Sequence, residues 1–242
     1  MTNEISINWN QKQSTEKPIF EAFDESEFES IQQEAMALYG EACYVQESYE
    51  EYILEATENE KTKEPMLRKI GLTIKALIER FIRAIERFMK NQACNTAIKY
   101  FSNKKNMLYI LGFMPADDEG KKKLLKSVQT FYNLLEITKR FESNKTKDLT
   151  VADVFNVKFS QQKLTSAFTG DDAFFTYKNM KHIIHVMEKE KVRYTAAINT
   201  ADQESILNIY TTIIKKFAEL QSDFIAAYKH IKSYQDAHTR KL

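Results

Sequence analysis

The chain has 242 residues, 43% hydrophobic and 29% charged, enough apolar material for a sizeable core and too much for a globally disordered chain. Five Gly and three Pro are too few for the turns of an all-β fold or the phosphate loops of an α/β fold, so helices joined by polar loops are expected. A net charge of +1 sets up no global field for nucleic acid, yet residues 1–60 hold 2 Lys/Arg against 15 Asp/Glu and residues 61–110 hold 12 against 3.

Residues 1–23 are polar and aperiodic, and they read as a flexible arm in which Trp9 and Phe20 are candidate partner anchors or, equally, dock back onto the chain's own bundle. The start, "MTNEISINWN", has no basic or apolar leader pattern, so no secretory signal is expected there. Ser26 with Glu29 then forms a capping-box signal. Behind it Phe28, Ile31, Ala35, Leu38, Ala42, Val45, Tyr49, Tyr52 and Ala56 alternate three and four apart, the stripe of a long amphipathic helix.

"TENEKTKEP" breaks that helix. Thr62 is a cap candidate for the next one, with Pro65 tolerated in its first turn. "LRKIGLTIKALIERFIRAIERFMK" follows, 24 residues or about 36 Å of helix. Its apolar stripe supplies the candidate helix-pairing residues Leu67, Ile70, Ile74, Leu77, Phe81, Ile85 and Phe88. Residues 24–114 thus read as an acidic–basic helical hairpin region, ending in the less regular "CNTAIKYFSNKKNMLYILGFMPADDEG" with a turn at Met114–Gly120.

Residues 115–171 read as one helix, about Gly120–Glu142, and then an irregular connector. Leu124, Val128, Phe131, Leu135 and Thr138 line up on the helix, and Thr150 with Asp153 offers a second capping signal. Residues 172–242 read as a C-terminal hairpin. One stripe runs through Tyr177, Met180, Ile184, Met187, Lys191, Tyr194 and Ile198. The other runs through Ile206, Tyr210, Ile213, Phe217, Leu220, Phe224, Ala227, Ile231 and Tyr234. Lys191 interrupts its stripe, either to fix register or to reach water along its stem. The fold expected is all-α: long antiparallel hairpins forming a helix bundle, with an irregular middle segment.

Catalytic signatures are sparse. His182 and His185 share a helix face, but two imidazoles are not a metal site and no HExxH accompanies them. Glu47, Glu50, Glu51, Glu55 and Glu58 flank a heptad stripe and read as a solvated or partner-facing surface. Cys43 and Cys94 form no CxxC and suit a reducing compartment. No GxGxxG, Walker or GxSxG pattern occurs. No enzyme activity, metal or cofactor is expected. The basic clusters in "SNKKNMLYILGF" and "GKKKLLK" read as ordinary surface. For the basic helix itself three uses stand open: pairing with the acidic helix before it, lying on a membrane surface, or tracking nucleic acid, with pairing preferred.

"EAMALYGEACYVQESYEEYILEATENE" followed by "LRKIGLTIKALIERFIRAIERFMKN" resembles the front half of helical virion structural proteins of large tailed bacteriophages, of the internal-head or prohead-core type. The likeness lies in the order of features over about residues 34–91. A Glu- and Ala-rich helix ends in an "EA" segment, a polar gap follows, and then a basic helix rich in Ile, Leu and Phe. It implies a non-enzymatic virion component, head-internal, portal- or neck-associated or ejected, assembled in the host cytoplasm. Its partners would be other virion proteins, in multiple copies, near DNA without reading its sequence. The alternative is a membrane-surface or ejection protein using helix 67–90.

Overall fold

The computed structural model describes residues 25–58, 63–143, 155, 163–196 and 203–239. Among them are eight helices and no strand. They are α1 (Glu25–Glu58), α2 (Lys63–Lys90), α3 (Gln92–Ser102), α4 (Lys104–Phe113), α5 (Glu119–Glu142), α6 (Leu164–Phe168), α7 (Tyr177–Ala196) and α8 (Gln203–Thr239). The all-α expectation holds. The arm with Trp9 and Phe20, the Thr62 cap and the Thr150–Asp153 signal lie outside the described residues.

Local chemistry sets the helix ends. Asn91 leaves the helical region at φ −69°, ψ 132°, and its side chain accepts from the Cys94 amide, closing α2 and capping α3. Asn103 repeats the device between α3 and α4, accepting from the Lys105 amide at 2.9 Å. Met114 stops α4 in an extended conformation, as the residue before Pro115 must. Asp118 then caps α5 at the Lys121 amide, so the expected Met114–Gly120 turn and 120–142 helix are both present. The capping box at Ser26 is corrected. Helix α1 already includes Glu25, so Ser26 lies inside the first turn, where Glu25 and Glu27 face the positive end of the helix dipole.

Helix α8 is the mast of the bundle. At 37 residues it is about 55 Å long. It is buried around much of its circumference: beyond the expected stripe, Ile209, Ile214, Ala218, Ile225 and Tyr228 are also inside. Helices α5 and α1 are its principal partners, with α2 next. Polar pairs give the directions. Lys126 of α5 meets Glu219 and Asp223, and Asp118 meets His230, so α5 runs antiparallel to α8. Gln46 meets Lys215 and Glu25 meets Lys229, so α1 is antiparallel too. Phe81 and Phe88 of α2 meet Phe217 and Phe224 in the same order along both helices, so α2 runs parallel to α8.

The hairpin partners differ from those expected. Helix α7 packs mainly on α2 and then α5, and it is not among the main partners of its chain neighbour α8. A mast buried on several sides has room for α1, α2 and α5, and the shorter α7 packs in the angle between α2 and α5. In the same way α1 and α2 touch along their flanks, while the stripe of α1 turns chiefly to α8 and that of α2 to α7 and α8. Lys191 bonds Glu188 at 2.7 Å and lies 3.9 Å from Glu79 of α2, so it reaches a carboxylate at the α2–α7 seam.

The irregular middle closes the core. The turn after α6 uses Gly170 at φ +90°, a left-handed conformation suited to glycine. It folds back so that the Phe175 amide bonds the Ala167 carbonyl at 2.8 Å. Phe175 thereby stacks on Phe224 with ring centres 4.9 Å apart and meets Phe131 at 4.5 Å. Phe88, Phe101 and Phe168 also pack against Phe224. Such ring pairs contribute about 0.5–1.5 kcal/mol each beyond simple burial.

Candidate interaction surface

Ile70, Ile74, Leu77, Phe81, Ile85 and Phe88 are all buried, the last five almost completely. The Leu67 side chain lies outside the described ones. The apolar face of α2 is therefore inside the bundle, and its polar face is what solvent meets. Along that face Lys69, Leu72, Ala76, Arg80, Arg83, Arg87 and Lys90 are exposed at steps of three or four residues.

Beside it runs the outer face of α1: Glu29, Gln33, Met36, Gly40, Tyr44, Glu47 and Glu51, again at heptad-like steps and all exposed. Arg80 pairs with Glu41 at 2.6 Å and Arg87 with Glu34 at 3.2 Å. Seven residues forward on α1 corresponds to seven residues back on α2, so these two helices are antiparallel neighbours. Burial raises the Glu34 carboxyl above its ordinary pKa, and the nearby Arg87 only partly offsets this. The charges thus fix which flanks meet, and contribute at most about 1 kcal/mol per exposed pair.

Between the two helices an open groove of about 550 Å³ is lined by Gly40, Tyr44, Val45, Leu72, Ala76 and Leu77. Met36 is 76% exposed, Tyr44 71% and Leu72 55%. Tyr44 and Leu72 line this groove together, and Met36 stands exposed about two turns back along α1, an apolar strip unusual for a solvated surface. Sequence reading missed this face. The signal was present as Met36, Gly40 and Tyr44 four apart, on the side of α1 opposite its heptad stripe.

The other candidates come apart. His182 lies 3.3 Å from Glu142 and is half exposed, while His185 is exposed. Among the described residues no three His, Cys, Asp or Glu side chains are grouped to hold a metal ion. Cys94 is buried, and burial pushes its thiol well above the ordinary range, which disfavours the reactive thiolate. Cys43 is half-buried on α1.

A second groove lies between the start of α5, the end of α8 and Phe28. Its cations face carboxylates: Lys123 meets Glu119, Lys229 meets Glu25 and His230 meets Asp118. The basic cluster of α4 places Lys104 and Lys105 in solvent beside exposed Leu108 and Phe113. No described helix is long and apolar enough to cross a membrane. No protein-family model, curated protein or solved structure matches the chain.

Proposed function

We propose that this chain is a non-enzymatic structural or assembly component of a tailed-phage particle and that it works through helix–helix contacts. The observation that carries the contact mechanism is the outer face of α1 and α2, where Met36 and Tyr44 stand exposed among the carboxylates of α1 and Leu72 among the cations of α2. Apolar residues framed by charge suit docking against other helices. The placement in a virion rests on the acidic-then-basic order of residues 34–91, which resembles internal-head and prohead-core proteins. In this reading the partners are other virion proteins in multiple copies, close to DNA without sequence-specific binding.

The test is mass spectrometry of purified particles made from the genome that encodes the chain. The expected result is stoichiometric recovery of the chain with the head or neck. Its absence from particles, with capsid proteins recovered, sinks the reading. The membrane-surface alternative needs the stripe from Ile70 to Phe88 to leave the core, and burial of that stripe argues against it.

A further inference from the structure

We propose that the outer α1–α2 face docks on the same face of a second copy of this chain, related by a two-fold axis running parallel to the two helices. This partner assignment rests on the helix-contact reading above and names the partner.

The face is self-complementary in one way only. Its α1 half presents Glu29, Glu47 and Glu51, and its α2 half presents Lys69, Arg80, Arg83, Arg87 and Lys90. Two copies meeting face to face about an axis perpendicular to the helices would set α1 on α1 and α2 on α2, with acid on acid and base on base. An axis parallel to the helices instead lays each α1 on the partner's α2, with acid on base in both halves. Two-fold interfaces of this isologous kind are the commonest in soluble oligomers. Like-charge juxtaposition is what rules out the first arrangement.

The register follows from the chain's own ion pairs. Glu41 opposite Arg80 and Glu34 opposite Arg87 place Glu51 level with Ile70, beside Lys69, and Glu29 within a turn of Lys90. An axis parallel to the helices keeps every residue at its own height. Glu51 of one copy therefore comes level with Lys69 in the second, and Glu29 with Lys90. Tyr44, Leu72 and Ala76 from both copies meet between these charged ends, and Met36 packs on the stems of Arg83 and Arg87. From Glu29 to Glu51 the face is about 35 Å long, and two helix widths make it roughly 20 Å across. That is about 700 Å² per copy, close to the ~800 Å² of a standard specific interface.

The experiment is sedimentation equilibrium on the full chain and two surface variants. One variant combines Glu29→Lys with Glu51→Lys, and the other combines Lys69→Glu with Lys90→Glu. Every altered side chain is exposed, and circular dichroism of each variant verifies the fold. The wild type is expected to dimerise in the micromolar range. Each variant alone should associate at least about tenfold more weakly, because all of its terminal charge pairs become repulsive. An equimolar mixture of the two should recover the wild-type dimer, because every Lys then meets a Glu across the axis. Tyr44→Lys should abolish association in either background.

A dimer indifferent to these changes overturns the proposal, as does a mixture that fails to recover. A wild-type chain that stays monomeric overturns it whether the face is then found covered by residues 1–24, through lysine cross-links to Lys69 or Lys90, or binds anionic vesicles. None of these outcomes alters whether the chain is found in particles, so failure here is separable from failure of the virion reading.

Discussion

Gln221 is the odd side chain of the mast. It is fully buried, and neither its amide nitrogen nor its amide oxygen has a hydrogen-bond partner. One turn away on its own helix stand Phe217, Phe224 and Ile225, all buried. A buried unsatisfied polar group costs about 1–3 kcal/mol. Gln221→Leu should therefore raise stability by about 1–2 kcal/mol, read as a higher urea midpoint at unchanged slope. Ile74 is the converse case, an apolar residue with no exposure at the heart of α2. Ile74→Asp should cost at least about 3 kcal/mol in the same assay, because an unpaired carboxylate has no partner there. Tyr228 gives a pH signature. Burial, with Asp236 adding repulsion, pushes its phenol up to about 12. The folded state thus favours the protonated ring more than the unfolded chain does. Its contribution is full below the ordinary tyrosine range near pH 10 and is lost as pH rises from there towards 12. Urea midpoints measured across that range should fall less steeply in Tyr228→Phe than in wild type.

At the scale of elements, the sequence declared faces better than partners. The three-four spacing of Phe28, Ile31, Ala35, Leu38 and Ala42 identified the buried side of α1 correctly, and the stripe of α5 from Leu124 to Thr138 is likewise inside. A heptad stripe says that a side is covered without saying by which helix. Short links suggested that α1 would cover α2 and that α7 would cover α8. What decided otherwise was a second stripe on α8, through Ile214, Ala218 and Ile225, which marks a helix covered on more than one side. Two Asn caps, at 91 and 103, were equally readable in "KNQAC" and "SNKKN", and they cut what looked irregular into α3 and α4. The outer face with Met36, Tyr44 and Leu72 was harder to see, since isolated exposed apolar residues are normal and only the antiparallel flank contact brings Tyr44 and Leu72 to one groove. Asn91→Ala should cost about 1 kcal/mol, because it frees the Cys94 amide at the start of α3. A double-mutant cycle on Glu41 and Arg80 should return a coupling of at most about 1 kcal/mol, screened by salt, since both side chains are about half exposed.

For the whole molecule, the decisive fact is that the greasy side of the basic helix faces inward. The intact chain should stay in the supernatant when centrifuged with anionic liposomes, while the isolated 67–90 peptide, with nothing to cover it, should pellet with them. Intact chain that still pellets after Lys69→Glu with Lys90→Glu would show that the bundle opens at a bilayer, whereas pelleting lost in that variant would assign the binding to the outer basic row.

The contact of α1 with α8 has a consequence for how the protein is made. The first described helix is covered mainly by the last one, so its apolar stripe has no principal partner until residues beyond 203 have left the ribosome. At about 5–20 residues per second, more than 140 residues must be synthesised after α1 ends, which takes roughly 7–30 s. During that interval Phe28, Ile31 and Leu38 lack their native cover. Nascent chains stalled before α8 should accordingly be bound by chaperones, and their release should follow the emergence of α8 from the ribosome.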